Sequence, residues 1–189
     1  MILNAMAAIR DELNSFFRRR TGITENMVEL SELVNLDGSV AFSGQDKILC
    51  TLISVEQERT NINRTVGGGL ERKNPPIDLN LYVLYSAYYQ ASNYEEALKS
   101  LSGIIGFFQG NQVFTAQNTP ALNDGIQKLT VELMNLDVKE LSNFWTAVGS
   151  KHLPSVLYKW RMISITENMI LEELPQIKGV DPGAGGKDN

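Results

Sequence analysis

The sequence predicts an α+β domain, with about three helices packed on a mixed, mostly antiparallel sheet. Three observations carry that expectation. Several stretches space their apolar residues at three and four, the period of a helix with one buried face. Several others alternate side chains with the period of two that a strand requires. The two kinds of segment are interspersed but do not strictly alternate, and 189 residues suit one domain with tails.

The first helix is expected over Ile2–Arg20. Ile2, Met6, Ile9, Leu13, Phe16 and Phe17 fall on one face. Arg18, Arg19 and Arg20 occupy the last turn, where cations meet the negative end of the helix dipole, and Gly22 suits the stop. From Met27 to Gly44 the pattern is weak. Val28, Leu30, Leu33 and Val34 mark short strands, and Asp37-Gly38 marks a turn. Lys47–Val55 is a firmer strand, apolar on both faces, as in the middle of a covered sheet.

Glu56–Pro76 is the longest break and is expected as a flexible loop. It holds Arg59, Arg64, Gly67-Gly68-Gly69, Glu71, Arg72, Lys73 and Pro75-Pro76. Loops of this length are functional or disordered. Asp78–Tyr89 resumes strand alternation. Asn93–Gln109 is the second helix, and Asn93 with Glu96 fits the start of a capping box. Gly103 and Gly106 weaken it by about 1 kcal/mol each relative to alanine, and admit a close neighbour.

Lys128–Leu136 is a strand with one wet face. Asp137, with Glu140 three residues on, opens the third helix. Leu141, Phe144, Trp145 and Val148 form its stripe, and Gly149 ends it. Val156–Ile165 is the last firm strand, whereas Met169–Leu174 fits either type. The expected division is a folded domain over 1–174, with its flexible loop at 56–76, and a mobile tail over 175–189 rich in Gly and Pro.

Composition excludes several classes. With 22 acidic and 17 basic side chains the formal net charge is -5, the wrong sign for a nucleic-acid footprint. One cysteine, Cys50, makes no intrachain disulfide, and one histidine, His152, builds no His-based zinc site. No apolar run approaches the roughly 20 residues that span a bilayer. Met1–Ile9 has no basic run ahead of it and does not read as a secretory signal.

Chemistry is hard to find. The triple glycine is followed by Glu71 and Pro75-Pro76 rather than a helix start, so it reads as a flexible loop and not a phosphate cradle. Cys50 sits mid-strand among apolar residues and His152 in a polar loop, with no local signature of a nucleophile–base pair. Glu95/Glu96 and Glu172/Glu173 are adjacent pairs that do not face each other on a helix. No cofactor or metal is expected. Arg18, Arg19 and Arg20 complement the helix dipole, or contact an acidic surface on a partner. Tyr82, Tyr85, Trp145 and Trp160 read as core, while Tyr88 and Tyr89 at a strand end double as interface anchors.

The order of segments carries a resemblance. It runs through Asp46–Glu58, then Pro75-Pro76-Ile77-Asp78-Leu79-Asn80-Leu81-Tyr82, then the helix with Tyr94-Glu95-Glu96-Ala97-Leu98. Leu129-Thr130-Val131-Glu132-Leu133, Leu141-Ser142-Asn143-Phe144-Trp145 and Ser155-Val156-Leu157-Tyr158 follow. Over about residues 1–166 the chain resembles the N-terminal domain of tail-terminator (cap) proteins of extracellular contractile injection systems, the antifeeding-prophage type. The resemblance implies a phage tail-terminator-like fold and a structural role without catalysis or cofactor. It implies a homo-hexameric ring at the baseplate-distal end of the particle, binding the last inner-tube and sheath layers and ending their polymerisation. It also implies assembly in the bacterial cytoplasm on a particle released from the cell, with no membrane or nucleic-acid partner. The extra cap domain of longer relatives is expected to be missing.

The expected partner-facing residues are Arg18, Arg19, Arg20, Arg59, Arg64, Arg72, Lys73, Tyr88 and Tyr89. An adaptor or connector of a related phage-tail-like particle is the second reading, and a small hydrolase using Cys50 the third.

Overall fold

The computed structural model describes residues 1–44, 46–58, 71–73, 77–122, 126–165 and 170–173. Its centre is a sheet of six strands. Two long antiparallel ones, β2 (Lys47–Gln57) and β4 (Ile77–Tyr88), lie beside a third, β7 (Ser155–Ile165). Outside them lie β1 (Val28–Leu30), parallel to β2, and β6 (Lys128–Met134), antiparallel to β7. The two-residue β5 (Val113–Phe114) ends the order β1-β2-β4-β7-β6-β5. A separate ribbon pairs β3 (Glu71–Lys73) with β8 (Ile170–Glu173), antiparallel, with Arg72 opposite Glu172.

Two helices cover one face. The first, α1 (Ile2–Thr21), buries Ala5, Met6, Ala8, Ile9, Leu13, Asn14 and Phe17. It ends at Gly22, whose φ of 72° is left-handed, and the Gly22 N–H donates to the Arg18 carbonyl. The second, α2 (Tyr94–Gly110), buries Ala97, Leu101, Ile104, Phe107 and Phe108 on the same side. Its rings join those of the sheet: Phe108 lies 4.6 Å from Tyr158 and 5.5 Å from Tyr85, centroid to centroid. At about 1.5–3 kcal/mol per buried large apolar side chain, this face dominates the stability.

The other face carries α3 (Val138–Val148). Asp137 accepts from the Glu140 N–H at 2.7 Å, and the Glu140 carboxylate accepts from the Asp137 N–H at 2.9 Å. That is the expected capping box, with Gly149 at φ 71° closing the far end. Leu141, Phe144, Trp145 and Val148 pack on Leu49, Leu84 and Leu157. The first half of β2 is therefore buried on both faces, with Ile48 and Cys50 under α1 and α2 and Leu49 under α3.

Several expectations change. The β2 strand runs on to Gln57, and β3 forms at Glu71–Lys73, so two parts of the expected 56–76 loop are strand. Arg59, Arg64, the triple glycine and Pro75-Pro76 lie outside the described residues, as does the expected tail over 175–189. The ambiguous 169–174 stretch contains strand β8, and β5 was not anticipated. No capping box forms at Asn93: its side chain donates to Asp46, while Glu96 pairs with Lys99 at 2.6 Å. A partner 47 residues away took the group that local spacing assigned to the cap. Gly103 does admit a close neighbour, since a Cβ there would sit 2.7 Å from the Phe17 ring. Gly106 faces open space.

Candidate interaction surfaces

The end of α1 is a basic tip. Arg18, Arg19 and Arg20 are exposed, and among the described residues none of the three pairs with a carboxylate. Arg20 lies over the Phe16 ring at 5.9 Å, which holds its head near the helix end. Within α1 the charges are Arg10, Arg18, Arg19 and Arg20 against Asp11 and Glu12, a local surplus of two positive charges on a chain of net charge -5. A cationic tip on an acidic protein suits an acidic protein surface.

Beyond the footprint of α3 the sheet face is polar. Glu56 accepts from the Tyr82 hydroxyl at 2.7 Å and lies 3.9 Å from Lys159. The bond to Glu56 is the main reason the Tyr82 phenol is pushed above its ordinary pKa. Arg161 pairs with Glu132 at 3.3 Å, and Asn80 donates to Glu58 at 3.0 Å. The cations of β7 thus lie between carboxylates from β2 and β6, so the charges of this face pair within the chain.

Two apolar grooves flank the β6 end of the sheet. One, of about 360 Å³, lies on the α2 side among Ile105, Phe108, Gln109, Val131, Leu133 and Tyr158. The other, of about 300 Å³, lies on the α3 side among Met134, Leu136, Leu141, Phe144 and Leu157. Leu133 is 48 % exposed and Ile105 40 %. Alternation marks Leu133 as apolar, but its exposure depends on how little of β6 is covered by β5, which local sequence does not carry.

The tyrosines at the end of β4 are half-buried. Tyr88 meets Phe42 edge to face at 5.5 Å, and the Tyr89 hydroxyl is hydrogen-bonded to Ser100 at 2.8 Å. Arg72 and Lys73 fall on β3, in the ribbon with β8.

Cys50 and His152 are not brought together. Cys50 is buried under α1 and α2, where burial pushes its thiol up to about 12. His152 is exposed and lies 5.4 Å from Trp145, ring tilted against ring, and Trp145 packs on the opposite face. Among the described residues no group of three or more His, Cys, Asp or Glu is placed to hold a metal ion. No helix among them is long and apolar enough to cross a membrane.

No curated protein matches the chain. Solved structures of two tube terminators are among those that share its fold. One is the PVC sheath/tube terminator of an extracellular contractile injection system in its extended state, with a TM-score of 0.63 at 12% identity. The other is the anti-feeding prophage tube-terminating cap, with a TM-score of 0.55 at 14% identity. The alignments take in 100% and 93% of this chain, which spans 64% and 60% of the length of those two. A mixed six-stranded sheet with helices on both faces is thus the shared architecture. The family model for the Pvc16 N-terminal domain matches residues 5–178, from the first turns of α1 past the end of β8, and the chain belongs to that family.

Proposed function

We propose that this chain is a structural cap, a terminator of a contractile injection particle. It forms a ring, expected to be six-fold, at the baseplate-distal end. There it binds the last inner-tube and sheath layers and stops their growth. The observation that carries this reading is the family match over residues 5–178, together with the shared fold of a sheath/tube terminator and a tube-terminating cap. No catalytic step is assigned: Cys50 and His152, the pair weighed as nucleophile and base, lie on opposite faces of the sheet.

The basic tip Arg18–Arg20 is the surface offered to an acidic layer beneath the ring. Arg59, Arg64, Arg72 and Lys73 extend the cationic set, whereas Tyr88 and Tyr89 contribute from the margin of the fold. Assembly takes place in the bacterial cytoplasm, on a particle that leaves the cell. Electron microscopy of particles made without the protein tests the reading. Tubes and sheaths of uncontrolled length are expected, and unchanged length control would overturn it.

A further inference from the structure

Among the described residues, the six-stranded sheet is unfinished on both sides. On one side, β1 covers only Ile48–Cys50 of the eleven-residue β2. The Glu58 N–H bonds inward to the Asp78 carbonyl. By strand alternation, Val55 and Gln57 then turn their backbone groups outward, to an open edge. On the other side, β5 pairs only with Leu129 and Thr130, and the Val131 N–H reaches out to the Gln112 carbonyl. The same alternation turns the backbone groups of Leu133 outward, with no strand among the described residues to meet them.

The two edges match in chemistry. At the β2 edge, Leu52 and the 44 % exposed Val55 lie on the helix α1/α2 side and Ile53 on the α3 side. At the β6 edge there is an apolar groove on each of those same sides. An open strand with apolar residues on both faces is a liability unless another strand covers it.

They also match in direction. Three antiparallel steps, β2 to β4 to β7 to β6, make β6 antiparallel to β2. A rotation about an axis running roughly along the strands keeps both strand direction and sheet face. It brings β2 of the next copy beside β6, antiparallel, with Leu52 and Val55 on the side of the larger groove and Ile53 on the side of the smaller.

We propose that copies of this chain join head to tail through the β6 edge at Leu133 and the β2 edge at Leu52–Gln57, in one sheet that continues from copy to copy. This deepens the ring reading and rests on it for closure, because a heterologous contact either closes into a ring or runs on as a filament. Both halves of the contact are on one chain, so the occupant of each edge is a second copy.

Disulfide trapping tests it in the full chain assembled into particles. The Val55→Cys, Leu133→Cys double variant should give, on oxidation, a ladder at multiples of 21.0 kDa. Each single variant should stay unlinked, because Cys50 is buried beside β1. Dimers from either single variant would overturn the proposal, since they require like edges to meet. A double variant that stays monomeric in particles with normal length control would overturn it too, and would leave the terminator reading standing. A ladder with length control unaffected by loss of the protein would support the edge contact and overturn that reading. Leu133→Pro removes the outward N–H while sparing the bonds to β7, so it should abolish rings yet unfold as one cooperative transition. Rings of wild-type yield from that variant would count against the proposal.

Discussion

Asn14 holds Val28 at both ends of its peptide groups. Its Oδ1 accepts the Val28 N–H at 2.9 Å, and its Nδ2 donates to the Val28 carbonyl at 2.9 Å. The same Oδ1 accepts the Met27 N–H at 2.9 Å. A side chain 1 % exposed on α1 thereby does the work of a neighbouring strand, and fixes where three-residue β1 lies against β2. Asn14→Ala leaves two buried backbone groups of Val28 unpaired. At about 1–3 kcal/mol for each such group, it should cost about 2–6 kcal/mol in urea unfolding. A loss below about 1 kcal/mol would show that water reaches these groups.

The two helical glycines of α2 should respond with opposite signs. Gly103→Ala places a methyl 2.7 Å from the Phe17 ring and should destabilise by about 1–3 kcal/mol through overpacking. At Gly106 nothing lies within 4 Å, so Gly106→Ala should stabilise by up to about 1 kcal/mol through helix propensity. Thermal melts of the two variants make the comparison.

Asp46 ties the start of β2 to the turn ahead of α2. It accepts from the Asn93 side chain and from the Gln90 N–H at 2.7 Å. Those two bonds, the Asn93 one foremost, hold its carboxyl below the usual value of 3.8. The folded pKa is depressed, so the stabilisation is present above about pH 4 and is lost as pH falls through the folded value. The Tm gap between wild type and Asp46→Ala should be constant from pH 7 to 5 and narrow below pH 4. A gap independent of pH would remove the carboxylate from the account.

Cys50 should be chemically silent in the native protein. With its thiol pushed up to about 12, mainly by burial, about one molecule in 10⁵ carries the thiolate at pH 7. Ellman's reagent should label it only with unfolding, and Cys50→Ser should leave particle assembly unchanged. Fast labelling without unfolding would show an open path to β2.

The Arg18–Arg20 tip separates docking from folding. Replacing all three by glutamate reverses the favourable end of the helix dipole, at about 0.3–1 kcal/mol per charge at most. The variant should still unfold cooperatively but lose its place on the particle. Wild-type docking should weaken with salt, because exposed ion pairs are screened. Docking insensitive to both changes would take the tip out of the interface.

Much of this architecture was legible. The stripe of α1, the two-faced apolar run of β2 and the Asp137/Glu140 cap all depend on residues within a few positions of each other. The interaction surfaces were less so. The arginine run is visible in sequence, but its freedom from carboxylates is a fact of three dimensions. Leu133 reads as an ordinary strand residue until β5 is seen to stop two residues into β6.

By itself the sequence determined the helix faces, the strand periods, the helix stops and the absence of a local catalytic signature, since each is written in the spacing of near neighbours. Tertiary structure alone decided that Asn93 serves Asp46 and not its own helix, that Gly103 is crowded while Gly106 is free, and that Cys50 and His152 lie on opposite faces. It also decided which edges of the sheet stay open. The physical reason is distance along the chain. Periodicity and caps are settled within one or two turns, whereas pairing, crowding and exposure depend on which segments tens of residues apart arrive at the same place.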